Sequence, residues 1–294
     1  MQDAASAAIA VVTGTSSGIG KATSLRLARS GYRVFAGMRN LARAEELRSE
    51  AQREQLPIEV IELDVTSSSS VDAAFAAVRA HGPIDVLVNN AGIGGATPLE
   101  LVPEAEHRAI FETNYWGCVR CIQAVLPGMR EQGRGAIVNV SSLTGILATP
   151  SQIPYSASKW ALECLGEALA HEVRRFGVRV VSIEPGVVMT KIFENSAQAT
   201  RYDRGSPYRQ VMRRNRLFFV AGFKEAAQPE QVADTILESI TTGDYRLRWP
   251  VGKDAEGIAR GLPTLSDEEW ISMGDDLSDE EYNRRFREAF GIQL

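Results

Sequence analysis

Tyr155 and Lys159 stand four residues apart in the run Tyr155-Ser156-Ala157-Ser158-Lys159, and on a helix that spacing puts a phenol and an ammonium on one face. A free tyrosine, with a pKa of about 10, is a poor proton acceptor at neutral pH. A neighbouring cation favours the phenolate, which makes the pair an acid/base candidate, although an isolated pair at this spacing is more often a plain surface contact. Ser142 lies thirteen residues before Tyr155, beside Ser141, at the end of the β-type run Ala136-Ile137-Val138-Asn139-Val140. A hydroxyl there can donate to a carbonyl oxygen as charge builds on it; taken alone, a serine after a strand is a turn residue.

A second group of residues suits a nucleotide. Thr13-Gly14-Thr15-Ser16-Ser17-Gly18-Ile19-Gly20 follows an apolar run and leads into a helix containing Lys21, Leu25 and Leu27. Glycines there remove Cβ atoms where a pyrophosphate must approach the backbone, and a helix N-terminus offers free N–H groups and the positive end of a dipole. A glycine loop alone is weak evidence, but this one has the strand-turn-helix context that the chemistry requires. Some 20 residues on, where NAD sites carry an acid for the ribose hydroxyls, the chain has Met38 and then Arg39. A carboxylate would repel a 2′-phosphate and Arg39 could grip one, so NADP(H) is the expected cofactor, with NAD(H) still possible. Asp64-Val65 could contact the adenine, or Asp64 could simply stabilise a turn. Asn89-Asn90-Ala91-Gly92 supplies small residues and amides beside the same site.

These residues need a scaffold that brings them to one edge. β-branched runs at 8–13, 32–37, 57–63, 84–89, 135–141 and 178–184 alternate with helical patterns at 18–30, 41–55, 68–81, 104–132 and 155–176. Such alternation builds βαβ units, hence an α/β fold with a doubly wound parallel sheet in three αβα layers. Ligands collect at the carboxyl ends of its strands, where every motif above falls. From 190 to 225 the alternation stops, and Phe193, Tyr202, Tyr208, Phe218, Phe219 and Phe223 mix with arginines from Arg201 to Arg216. We read a mobile substrate lid there, its arginines forming a solvated face that balances an acidic tail. A helix at 228–242 and a strand near 245–249 would complete the sheet.

The expected division is a catalytic domain over 1–250 and a helical extension over 251–294. Two capping-box sequences, Ser266 to Glu269 and Ser278 to Glu281, imply two short helices in that extension. Trp249, Trp270, Tyr282, Phe286 and Phe290 are too many aromatics for a free tail, so it should pack on the body or a neighbouring subunit.

Bulk properties exclude other classes. With 294 residues, 44% apolar, 23% charged and a net charge of −5, the chain suits a soluble protein that binds small molecules or its own copies rather than nucleic acid. There is no leader pattern and no apolar run long enough for a membrane span, so a cytoplasmic location is expected. Cys118 and Cys121, in a helical pattern, read as small buried residues, and Cys164 cannot complete a disulfide framework. His81, His107 and His171 are scattered, and no metal is assigned.

Thr13-Gly14-x-x-x-Gly18-x-Gly20, Asp64, Asn89-Asn90-Ala91-Gly92, Asn114, Ser142, Tyr155-x-x-x-Lys159 and Pro185-Gly186 together resemble the short-chain dehydrogenases/reductases, over residues 8 to 250 or so. The stretch from Val34 to Asn40 is most similar to the branch near 17β-hydroxysteroid and retinol dehydrogenases. The resemblance implies a Rossmann-type domain interconverting an alcohol and a ketone or aldehyde. Tyr155 would be the acid/base and Lys159 would hold the nicotinamide ribose. Ser142 would bind the reacting oxygen, and Asn114 would carry a water in a proton relay. Pro185, Gly186, Val188 and Thr190 would form the loop on the nicotinamide carboxamide. Leu143, Leu147, Ile153 and the aromatics of the lid suggest a fairly large apolar substrate, and the family suggests a homodimer or homotetramer. An epimerase or dehydratase using the same pair, or a non-catalytic cofactor sensor, are the competing expectations.

Overall fold

The computed structural model describes residues 7–190 and 205–294. Seven parallel strands form its sheet in the order β3-β2-β1-β4-β5-β6-β7. They are β1 (Ile9–Thr13), β2 (Arg33–Met38), β3 (Ile58–Glu62), β4 (Ile84–Asn89), β5 (Gly135–Val140), β6 (Val178–Pro185) and β7 (Arg248–Val251). The helices between the first six are α1 (Gly18–Arg29), α2 (Glu45–Arg53), α3 (Ser68–Arg79), α4 (Glu104–Phe111), α5 (Gly117–Gln132) and α6 (Ile153–Val173). Parallel neighbours need such crossovers, and covering both faces of the sheet buries central strands such as β1 and β4 almost throughout, while the edge strand β3 keeps Glu59 and Glu62 exposed.

Successive strand residues point to opposite layers. Val11, Phe35, Leu87 and Ile137 pack with Phe75 of α3 and Ile122 and Met129 of α5. Ala10, Val12, Val34 and Val138 pack with Leu27 of α1 and with Val232 and Ile236 of α8 (Pro229–Thr241) on the other side. The strand order reverses between β1 and β4, and this opens the crevice that holds the site.

The expected helix over 104–132 is interrupted by a π-helical turn at Glu112–Trp116, between α4 and α5. The last strand lies at Arg248–Val251, some three residues later than expected. As an edge strand it tolerates Pro250, and the guanidinium of Arg246 stacks on Trp249 just before it. The part of the expected lid within the described residues is largely one helix, α7 (Arg209–Lys224); Phe193, Tyr202 and Arg201 lie outside them.

The extension holds three helices, α9 (Lys253–Gly261), α10 (Asp267–Ile271) and α11 (Asp279–Phe290), where two were expected. The extra one, α9, starts at Gly252 without a side-chain cap and so lacks the sequence signature of a start. Tyr282, Phe286 and Phe290 pack with Ile258 against Leu143, Leu147, Val187 and Phe218, so the aromatic tail lies on the body of its own chain. The Ser266 box closes in both directions, whereas Glu281 turns from Ser278 to Arg284 and Arg285, leaving half a box. The arginines of α7 depart from a purely solvated face: Arg213 does pair with Asp279, but Arg214 is buried, 4% exposed, against carbonyls of the extension.

Candidate active site

A cleft of about 1330 Å³ runs along the carboxyl ends of β1 to β6. Its nucleotide end begins at the loop between β1 and α1. Gly14 and Gly18 have φ of +71° and +57°, a region that favours glycine, and a Cβ on Gly14 would fall 2.7 Å from the Ala91 Cα. A Cβ on Gly20 would fall 2.4 Å from both Asn90 Nδ2 and the Gly14 carbonyl oxygen, so its glycine lets α1 approach β4. Ser17 precedes α1 without capping it by its side chain, and the first turn carries no acid, which leaves its N–H groups available to an anion. This cradle fits a pyrophosphate.

Thr15 and Gly20 lie outside the lining of the cleft, while Gly14, Ser16, Ser17, Gly18 and Ile19 form part of it. Thr15 is buried and donates both its N–H and its hydroxyl to the Gly37 carbonyl, so it ties the loop to β2. On the other side Asn90 donates to the Thr13 and Gly14 carbonyls, at 2.9 and 3.1 Å, while the N–H groups of Asn90 and Ala91 both donate to the Thr13 hydroxyl. Asn90 thus shapes the loop besides lining the cleft. Asn89 points elsewhere, donating to Asn139 inside the sheet.

Arg39, exposed at the end of β2, lines the cleft together with Met38. Arg43 joins it one turn later, a second exposed guanidinium that sequence reasoning missed, although the four-residue spacing was there to see. Neither has an ion-pair partner among the described residues, while the nearby Glu46 is engaged by Lys21. Asp64 and Val65 also line the cleft. Asp64 serves its turn as well, its Oδ1 accepting from the N–H and hydroxyl of Thr66 at 3.0 and 2.7 Å.

At the other end, Tyr155 sits half-buried in the first turn of α6. Ser151, at φ +61°, turns the chain into that helix and lines the cleft with Gln152; neither was singled out in the sequence. Lys159 is buried, its Nζ donating to the Val140 carbonyl at 2.8 Å and lying 5.7 Å from the centre of the Tyr155 ring. That carbonyl ends β5, so the ammonium is anchored to the strand that carries Ser141 and Ser142. Both serines line the cleft, but the Ser141 hydroxyl is enclosed near Gly145 and the Glu163 stem. The Ser142 oxygen accepts from the Thr144 N–H at 3.2 Å, which leaves its own proton free to be donated into the cleft.

Asn114 is fully buried within the π-helical turn and outside the lining of the cleft. Its side chain accepts from Ile93 N–H and donates to the Ile93 carbonyl and the Ser158 hydroxyl, and that hydroxyl donates to the Tyr155 carbonyl. Both amide hydrogens are therefore spent on holding the segment after Gly92 against α6. A Cβ on Gly92 would come within 3.4 Å of Asn114 Oδ1 and 3.8 Å of Lys159 Nζ, so Gly92 lets these groups converge. Cys118, one turn on, is buried, which pushes its thiol up to about 11 and keeps it a small neutral residue.

Pro185, Gly186, Val187, Val188 and Thr190 close the cleft beyond β6. Thr190 presses on the glycine loop, its Cγ2 lying 2.9 Å from where a Gly18 Cβ would be. Met212, Phe218, Phe219 and Phe223 of α7 form an apolar wall on this side.

Residues 8–201 match the short chain dehydrogenase family. The chain is 38% identical over 251 residues to the uncharacterized oxidoreductase YusZ of Bacillus subtilis, covering 83% of this chain and 89% of that one. It is 40% identical over 186 residues to human retinol dehydrogenase 8, covering 62% of this chain and 59% of the relative. A short-chain dehydrogenase from Streptomyces avermitilis superposes with a TM-score of 0.79 at 34% identity, over 94% of this chain and all of the other.

Proposed function

The chain belongs to the short chain dehydrogenase family, an oxidoreductase family whose fold binds NAD(P)(H), and from that premise we propose that it is an NADP(H)-dependent enzyme interconverting a secondary alcohol and a ketone, or an aldehyde, of a fairly large apolar substrate. The observation that carries this reading is the convergence of Tyr155, Lys159 and Ser142 on one cleft that also contains the glycine cradle and Arg39. When bound, the cofactor supplies or accepts the hydride. The Ser142 hydroxyl and Tyr155 hold the reacting oxygen, and in reduction Tyr155 donates its proton to that oxygen. Lys159, fixed by the Val140 carbonyl, keeps a positive charge beside the phenol as the proton leaves. With both amide hydrogens of Asn114 engaged and its backbone carbonyl already accepting from the Cys118 thiol at 3.2 Å, a relay water at this position would have to take the second lone pair of that carbonyl.

Arg39 and Arg43 would meet the 2′-phosphate. Asp64 and Val65 would border the adenine, and Pro185, Gly186, Val188 and Thr190 the nicotinamide. The apolar wall of α7 favours a substrate with a large hydrocarbon body, as the name of retinol dehydrogenase 8 implies for that relative. Residues 1–250 act as the catalytic domain and 251–294 as its extension, in a cytoplasmic homo-oligomer.

The test is NADPH oxidation with a panel of apolar ketones and aldehydes, for the wild type and Tyr155→Phe, with NADH in parallel. Loss of the phenolic proton should lower the rate by about 10²-fold or more while the protein still binds NADPH. Equal rates in the two proteins would overturn the mechanism, and equal use of NADH would overturn the preference.

A further inference from the structure

The loop that follows β6 is held by the last third of the chain. Gly186 N–H donates to the Val251 carbonyl at 2.9 Å, Met189 N–H to the Ala227 carbonyl at 3.0 Å, and Ala227 N–H to the Val187 carbonyl at 3.0 Å. Among the described residues one side chain also holds this loop: Asp254 Oδ2 accepts from the Val187 N–H at 2.7 Å. Asp254 lies in the first turn of α9, and its Oδ1 accepts from the Ala255 N–H at 2.9 Å. The space around it is cut to fit. A Cβ on Gly186 would come 1.9 Å from Oδ1 and one on Gly252 2.9 Å, while Gly222 of α7 borders Oδ2 at 3.6 Å. Burial pushes this carboxyl upward, and the N–H bonds it receives pull it back.

We propose that Asp254 is a positioning residue for the nicotinamide half of the cofactor: its side chain fixes Val187, and with it the Pro185 to Thr190 loop, from the C-terminal extension. The proposal rests on the NADP(H) reading above. A merely structural role, in which an acid stabilises the start of α9, predicts a different outcome, because Glu256 shares that turn and, among the described residues, makes no hydrogen bond to the loop.

The experiment measures the affinity of wild type, Asp254→Ala, Asp254→Asn and Glu256→Gln for NADPH and for 2′,5′-ADP, which carries the 2′-phosphate but no nicotinamide, together with the thermal midpoint. Asp254→Ala should bind NADPH about tenfold more weakly, the equivalent of one modest hydrogen bond, and 2′,5′-ADP as well as wild type does. Asp254→Asn keeps one acceptor oxygen, so it should fall between, and it carries the comparison if the alanine variant does not fold. Glu256→Gln should match wild type in both. Equal loss for the two ligands, or no loss for either, overturns the proposal. Failure of the wild type to bind NADPH overturns the cofactor reading itself, and this one with it.

Discussion

Glu184, the residue before Pro185, has its carboxyl enclosed at the end of β6 and is 2% exposed. Burial first, and then the charge of Glu163, push it up to about 8, and Arg248 at 3.6 Å only partly offsets them. An unfolded chain releases this proton near the ordinary value of 4.5, whereas the folded protein keeps it until about 8. The folded state therefore binds more protons between those limits, and stability falls as pH rises through them. The thermal midpoint of the wild type should drop from pH 5 to pH 8, and Glu184→Gln should flatten that slope; identical profiles would contradict the assignment. Nothing in the sequence around Glu184 announces this, because the opposing charge comes from Glu163 on α6. The same reason hid Asp254, which meets Val187 from 67 residues away. The placement of Tyr155, Lys159 and the glycine loop was legible because their geometry is local: one helical turn, or one strand-turn-helix, sets it. The clamp made by Asn114 was not legible, since its partners Ile93 and Ser158 come from two other segments.

Among the elements, the six strands and the helices between them follow from periodicity, and their ends fall within a few residues of the expected ones. The π-helical turn did not, for an inserted residue shifts the apolar phase by one position inside a pattern that remains helical on either side. On α7 the one departure from the expected solvated arginine face is Arg214, because the arginines look alike in sequence while their partners differ. Arg214 donates to the carbonyls of Met273, Asp275 and Leu277, at 3.2, 3.3 and 2.6 Å, and its guanidinium lies 4.4 Å from the centre of the Tyr282 ring. It thus pins the helix that lines the apolar side of the cleft to the extension. Arg214→Leu should cost about 3 kcal/mol of stability, the scale of losing charged hydrogen bonds and stranding their buried acceptors. A denaturant titration would measure it, and Arg209→Leu, on the more exposed start of the same helix, should stay within about 0.5 kcal/mol of wild type.

At the scale of the whole molecule, the two sheet layers and the third cluster under the extension bury most of the large apolar side chains among the described residues, and two tryptophans are among those left out. Trp116 and Trp160 are each 49% exposed. Trp116 ends the π-helical turn before α5 and Trp160 lies on α6, in the helix layer on one face of the sheet. An indole left half in water forfeits a large apolar burial, and two on one layer form the kind of surface that a second copy of the chain can cover. A two-fold arrangement would satisfy both with a single self-complementary contact, since each helix meets its own counterpart or its neighbour's. The protein should therefore sediment as a dimer or larger assembly at micromolar concentration. The double substitution Trp116→Glu and Trp160→Glu should shift it to the monomer while leaving the far-ultraviolet circular dichroism unchanged, because neither side chain belongs to a buried cluster. A wild type that sediments as a monomer, or a variant that keeps its assembly, would place the contact elsewhere or remove it.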